Sequence, residues 1–553
     1  MRGKLKLVGM AGLVMTCLLV VGVAAASQRA SAPDTLLYAG ASDPTYLDPA
    51  LVSDGESFRV TKQIFEGLVD FAPGTTRIVP ALATSWKVSK DGRSYTFNLR
   101  GGVRFHDGTA FNAAAVCANF NRWYNFSGPF QDASATYYYQ SIFAGFRRNE
   151  VQGLGRPLYQ SCRAAGGLKA VVRLARRNGP FLPSLVLSAF AIQSPTAMRK
   201  WGANQATIQN GLFRPTGTYA FRHPTGTGPY MFERWTTGEA VVLRKFSRYW
   251  NKRQPRLARI IIRPIADNTA RVQALQTGEV YAMDLLAPQF VATVRSNSRL
   301  KVLSRPSFNV AYVTINSSRA PTNELNVRKA VAYGLNRQLV VNSFYAGRAQ
   351  VAHEFMPPSL PGYNANVVKY QFNPTRAKQL LNESSCKVPC KIEFWYPTGV
   401  SRPYMPDPKA NFEAFRASLE QSGFDVVTKS APWRPDYVAH VNEGTAGNLN
   451  MIGWTGDYAD ADNFIGTFFQ GGSKQFGYNS AALNRLLDRA EAETSQGRRV
   501  ALYKQANALI MQQLPGVPYA HSRPALGMQK RVQGYFTSPI GTDLFKTVYV
   551  GGQ

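Results

Sequence analysis

The order of apolar and polar positions divides the chain into a strand-rich first half and a more helical second half. Trp86-Lys87-Val88 and Tyr95-Thr96-Phe97-Asn98-Leu99 alternate in side-chain character, with Asp91-Gly92 between them. This predicts a β-hairpin, because Asp-Gly tolerates the positive φ angles of a tight turn. A second Asp-Gly follows at Asp107-Gly108, and Asn112 then has the character of an N-cap for a helix over residues 113–120. Later, Leu325, Val327, Val331, Leu335 and Leu339 recur near the 3.6-residue period and predict a helix stopped by Gly347. Phe412, Phe415 and Leu419 repeat the pattern before Gly423. Leu483, Leu486 and Leu487, then Leu502, Leu509 and Ile510, mark two more helices. Short β runs at residues 392–396 and 448–454 intervene, and this alternation argues an α/β architecture. Apolar strand-like runs at residues 308–315 and 517–520 bracket the helical half, which predicts a lobe inserted into the first and joined to it by two strands.

Composition fits this picture of packed domains. A chain of 553 residues is long enough for three or four structural units. Its 45% hydrophobic and 12% aromatic content excludes a disordered or collagen-like chain. The balance of 64 Lys+Arg against 33 Asp+Glu, a formal net charge of +31, raises the question of a nucleic-acid or membrane-surface partner.

The N-terminus reads as an export signal over residues 1–26. Arg2, Lys4 and Lys6 precede an uncharged run from Leu7, and Ala24-Ala25-Ala26 supplies a small-residue cleavage site. The competing reading is a retained membrane anchor, since residues 7–26 approach the ~20 apolar residues of a spanning helix. Cys17 lies inside the apolar run and is not expected to carry a lipid. Four cysteines remain, an even number suited to disulfides in an exported chain. Of the three possible pairings, the favoured one joins Cys117 to Cys162 and Cys386 to Cys390. The five histidines (His106, His223, His353, His440 and His521) are scattered, which argues against zinc; no metal or cofactor is expected.

Phosphate-loop, Gly-x-Ser-x-Gly, His-Glu-x-x-His and dinucleotide fingerprints are all missing from the sequence, so no enzyme is expected. The candidate chemistry is one of binding. Gly453-Trp454-Thr455-Gly456-Asp457-Tyr458-Ala459-Asp460-Ala461-Asp462-Asn463-Phe464 places carboxylates after a Trp in an otherwise cationic chain. A carboxylate beside an aromatic wall suits a ligand ammonium group. The competing reading has Asp460 or Asp462 capping a helix through Phe468, with Asp457 solvated. Arg402, in the proline-stiffened Ser401-Arg402-Pro403-Tyr404-Met405-Pro406-Asp407-Pro408, can grip a carboxylate in bidentate fashion, or is an ordinary surface arginine. In Ser53-Asp54-Gly55-Glu56-Ser57, Gly55 lets the backbone approach a ligand with Glu56 beside it, or the segment is simply a turn.

Further motifs carry a family resemblance. They are Tyr46-Leu47-Asp48-Pro49, Ile64-Phe65-Glu66-Gly67-Leu68, Leu99-Arg100 with residues 102–109 (GVRFHDGT), Gly226-Thr227-Gly228-Pro229-Tyr230, residues 327–336 (VRKAVAYGLN) and the Trp454 loop. From Asp34 onward the chain resembles the extracellular solute-binding proteins of ABC importers, in the peptide and nickel family (family 5), dipeptide branch. The resemblance implies a two-lobed, periplasmic-binding-protein-like α/β fold (type II), with an extra subdomain on lobe I and a two-strand hinge. The expected limits are 27–80, 225–310 and 518–553 for lobe I, 81–224 for the basic subdomain and 311–517 for lobe II. It also implies that Asp457 pairs with a peptide α-ammonium and Arg402 with its α-carboxylate. Trp454, Thr455, Gly456, Tyr404, Gly55 and Glu56 complete the expected ligand set. Ala461 departs from the family, where a Pro is often found.

A dipeptide offers opposite charges about 7 Å apart at full extension, so fixed Asp and Arg partners would measure its length and leave the side chains free. The expected function is an exported, monomeric receptor that closes on short peptides and delivers them to an ABC permease. Longer oligopeptides, nickel complexes and oligosaccharides are the alternative ligands, and a membrane-anchored peptide sensor is the alternative class. Residues 81–224 hold 18 Lys+Arg against 4 Asp+Glu, whereas residues 311–517 hold 21 against 16. The basic charge thus lies away from the ligand residues. It predicts association with anionic lipids or cell-wall polymers rather than nucleic acid.

Overall fold

The computed structural model describes residues 34–551 and contains two large mixed sheets. The proposed signal over residues 1–26 lies outside the described residues. Among the described residues, no helix is long and apolar enough to cross a membrane.

The first sheet has seven strands in the order Tyr230–Thr236, Ala240–Lys245, Arg259–Pro264, Thr35–Gly40, Ala282–Leu286, Ala525–Gln529 and Leu300–Ser304. The second has six, in the order Ala349–Val351, Gly516–Ser522, Asn309–Ile315, Leu449–Thr455, Cys390–Thr398 and Phe424–Pro432. Asn309–Ile315 and Gly516–Ser522 are buried at every position, which is why they read as continuous apolar runs instead of alternating ones. A separate antiparallel sheet of Ala83–Val88, Ser94–Leu99, Lys169–Leu174 and Tyr159–Ala164 lies within the basic segment. Its inner face buries Tyr95, Phe97, Leu99, Ala170, Val172 and Leu174.

Local signals explain several elements. The hairpin forms about Asp91-Gly92, where Gly92 takes a φ of 66°. Asn112 Oδ1 accepts from Ala115 N at 2.9 Å and starts a helix that continues to Tyr124, one turn past the expected end. The helix expected before Gly347 is instead two, Leu325–Gly334 and Arg337–Phe344. Asn336 supplies the reason, since its side chain accepts from Leu339 N at 3.1 Å and caps the second helix instead of continuing the first. The reset of register turns Leu325 and Leu339 outward, 38% and 47% exposed. Cys117–Cys162 and Cys386–Cys390 are both disulfide-bonded.

Two strand pairs join the large sheets. Leu300–Ser304 and Ala525–Gln529 are neighbours in the first sheet, and their continuations Asn309–Ile315 and Gly516–Ser522 are neighbours in the second. At the changeover Arg305 N donates to Pro524 O at 2.9 Å. Asn309 Nδ2 donates to Ser522 O at 3.1 Å, while Ser522 N donates to Asn309 Oδ1 at 3.0 Å.

A buried ion network fastens the base of this crossing. Arg305 donates to both Asp543 oxygens at 2.6 Å and to Asp284 Oδ2 at 2.9 Å, and Arg59 Nη2 reaches the same Asp284 oxygen at 2.7 Å. Burial opposes the ionisation of Asp284, but Arg305 and Arg59 outweigh it and hold its pKa down to about 2. This stabilisation is therefore present above the ordinary aspartate pKa and is lost only as the pH falls toward 2. Arg305→Met leaves Asp543 without its guanidinium partner and removes one of the two held by Asp284. Breaking such a pair costs about 3–5 kcal/mol, so calorimetry should show a clear fall in the unfolding temperature. Arg498→Gln, which removes the exposed pair with Glu493, should leave that temperature nearly unchanged.

Candidate functional site

The central strand Leu449–Thr455 carries the Trp454 loop out of the second sheet. Gly456 is required at the turn, because a Cβ there would lie 2.3 Å from the Phe308 ring. Its N–H donates to Phe308 O at 2.9 Å, tying the loop to the start of a crossing strand. Asp457 comes next, with its N–H donating to Asn463 Oδ1 at 2.7 Å. Its carboxylate accepts from Tyr138 OH at 2.8 Å and, more weakly, from Asn463 Nδ2 at 3.5 Å. Tyr138 belongs to Ala133–Phe143 in the basic segment, so this bond bridges that segment and the second sheet's loop.

Burial is the main influence on Asp457 and pushes its carboxyl up to about 6, against the lowering effect of the Tyr138 and Asn463 bonds. Asp457 is thus shielded instead of fully solvated. Asp460 caps the short 3-10 turn Ala461–Asn463 and not the helix Ile465–Phe469, which has no side-chain cap: it accepts from Asp462 N at 3.0 Å and forms a two-point pair with Arg499 at 2.7 and 2.8 Å. That pair fixes the loop where Ala461 replaces the expected proline. Trp454 stands edge-on to Phe468 at 6.0 Å, and its Nε1 donates to Asn463 Oδ1 at 3.4 Å. Thr455 Oγ1 is buried with no hydrogen-bond partner among the described residues.

Arg402 sits in a tight turn closed by reciprocal Arg402–Met405 backbone bonds of 3.1 and 3.0 Å. Its guanidinium lies 5.0 Å above the Trp433 ring, and its buried Nε has no hydrogen-bond partner among the described residues. Tyr404 is buried against Gly453, where any Cβ would come within 2.4 Å of the Tyr404 ring. Burial raises the Tyr404 hydroxyl pKa against the opposing influence of the adjacent Arg402. Arg402 also lines a small, partly open pocket with residues 285–288, at and just beyond the end of the strand Ala282–Leu286, and with the crossing at residues 522–525. Asp457 does not line this pocket.

Gly55 and Glu56 open the helix Gly55–Ile64, whose N-cap Asp54 accepts from Ser57 N at 2.8 Å. Gly55 is exposed with nothing near its missing side chain, whereas the Glu56 carboxylate accepts two bonds from Arg59 at 3.2 Å. Glu56 is therefore engaged inside lobe I. The helix reaches Asp457 through Phe58, whose ring packs 5.7 Å from that of Tyr138. Sequence reasoning missed Tyr138, Asn463 and Trp433. The run Tyr137-Tyr138-Tyr139 was visible, but nothing in it named the partner 319 residues away.

Comparison with known proteins gives a consistent result. The family described as bacterial extracellular solute-binding proteins, family 5 Middle, matches residues 77–476. A dipeptide-binding protein of Escherichia coli is 29% identical over 100% of both chains. Heme-binding protein A of Haemophilus influenzae is 31% identical, covering 95% of this chain and 94% of its own. The structure of the periplasmic binding protein DppA from Helicobacter pylori, in complex with the peptide STSA, superposes with a TM-score of 0.77 at 28% identity, covering 94% of this chain and 98% of that one.

The raised Asp457 pKa has a definite sign for stability. The folded state holds this proton to about pH 6 while the unfolded chain releases it near 4, so the carboxyl costs stability as pH rises through that window. Asp457→Asn should therefore unfold at a higher temperature than the parent at pH 7, with the gap closing toward pH 4. Scanning calorimetry across that range checks it; a gap that widens at low pH would refute the assignment.

Proposed function

The chain belongs to the bacterial extracellular solute-binding proteins of family 5, and on that premise we propose that it is an exported receptor that captures short peptides, dipeptides above all, for an ABC permease. The export signal ends at Ala26, and the lobes turn about the crossings at residues 305–308 and 523–524. The observation that carries the reading is the pair of polar ends left open. Among the described residues, Asp457 meets only neutral donors, and Arg402 lies beside an aromatic ring and a hydroxyl with no ion-paired carboxylate. A zwitterionic ligand supplies the missing ammonium and carboxylate. The Escherichia coli relative is named for dipeptides, and the Helicobacter pylori structure holds a peptide. Contacts from both lobes favour the closed arrangement, so ligand shifts an open–closed population.

Calorimetry with a dipeptide panel tests this. Binding is expected to weaken by about ten- to a hundredfold in Arg402→Ala and in Asp457→Asn, and N-acetylation of the peptide should mimic the second change. Because an ammonium group needs the ionised carboxylate, parent affinity should also fall as the pH drops below about 6. Tight binding unchanged in both variants would sink the site assignment, and a panel with no binder would sink the peptide reading.

A further inference from the structure

The pocket beside Arg402 holds more positive charge than one carboxylate can answer. Arg402, Arg348 and Arg523 all line it, and no carboxylate does. Among the described residues, none of the three forms an ion pair. Arg348 is held by neutral acceptors alone. Its Nη2 donates to Ser304 Oγ at 2.6 Å and Leu303 O at 3.2 Å, and its Nε donates to Arg523 O at 3.2 Å. Burial first, then repulsion from Arg295 and Arg523, lowers the Arg348 pKa, so the crowding of cations is unrelieved. Arg523 is exposed, and among the described residues its side chain makes one hydrogen bond, at 3.5 Å to Gly347 O. Leu286, Pro288, Pro406 and Pro524 add apolar surface to the lining. Low-dielectric walls strengthen the field of one-signed charge between them.

We propose that this pocket is a subsite for a second carboxylate, so that the receptor prefers peptides whose C-terminal residue is Asp or Glu. The inference rests on the peptide-receptor reading, with Arg402 taking the α-carboxylate. One carboxylate can satisfy one guanidinium in bidentate fashion, which leaves Arg348 and Arg523 facing the space where the last side chain enters. A side-chain carboxylate there relieves the repulsion, whereas a neutral amide of the same shape leaves it in place.

The test compares Ala-Glu with Ala-Gln by calorimetry at low ionic strength, in the parent and in Arg523→Gln. Arg523 is exposed, so that variant is expected to fold. Ala-Glu should bind about tenfold or more tightly than Ala-Gln in the parent. The ratio should shrink with added salt and fall toward one in Arg523→Gln. Equal affinities in the parent overturn the proposal, as does a preference that survives Arg523→Gln unchanged. Inorganic phosphate that binds as tightly as Ala-Glu also overturns it, by showing an anion site without peptide preference. Binding of Ala-Gln separately reports on the peptide reading, and failure of both dipeptides to bind overturns both.

Discussion

Two chain crossings, each running from a paired strand of one sheet into a paired strand of the other, join the sheets, and that constraint organises the molecule. A single crossing strand would let the sheets swivel freely, whereas two strands paired on both sides confine relative motion to the few residues between pairings. Residues 305–308 and 523–524 are those residues. Arg305 lies at the first of them and is gripped by Asp543 and Asp284, which in turn holds Arg59 on the helix opening at Gly55. The hinge base, the C-terminal segment and the wall of lobe I are therefore one charged cluster. Its burial makes it rigid, because no member can leave without stranding another. The compliant part of the crossing is left to backbone bonds and to the exchange between Asn309 and Ser522.

The Asp457 and Arg402 loops both emerge beside this crossing. Gly456 packs on Phe308, and Arg402 shares its pocket with residues 522–525. A small change at the hinge therefore alters the spacing of the Asp457 and Arg402 loops relative to lobe I. Tyr138 adds a contact from the basic segment directly onto Asp457, so the segment that carries the excess charge also closes over the carboxylate through an uncharged hydroxyl. Of its basic side chains, Lys87, Arg163, Lys169 and Arg173 lie on the sheet face opposite Phe97 and Val172. Strand alternation alone separates the two faces.

How much of this the sequence disclosed follows the range of each interaction. The Asp91-Gly92 hairpin, the Asn112 cap and the two crossing strands are local patterns, and they were legible. The break at Asn336 was a local signal too, but apolar periodicity across it masked the cap. The Arg305–Asp543 and Arg59–Asp284 pairs join residues 238 and 225 positions apart, and no composition or spacing announces them. The same holds for Tyr138 on Asp457. Motif and chemistry pointed to Asp457 and Arg402, yet they did not show that Glu56 is already taken by Arg59 or that Arg348 and Arg523 crowd the Arg402 pocket.

The scarcity of acids gives the final step. With 64 basic and 33 acidic side chains, a buried carboxylate has many cations available to it. Asp48, Asp284, Asp460 and Asp543 each meet an arginine. Glu66 does not, but Tyr249, Thr227 and Trp250 supply it with three neutral donors. Asp457 has one good donor and one long one, and pays for that isolation with a pKa of about 6. Glu354 and Asp462 also lack an ion pair among the described residues and are pushed further, to about 8 and about 7, so what sets Asp457 apart is the Tyr138 hydroxyl reaching it from the basic segment and not the lack of a cation alone.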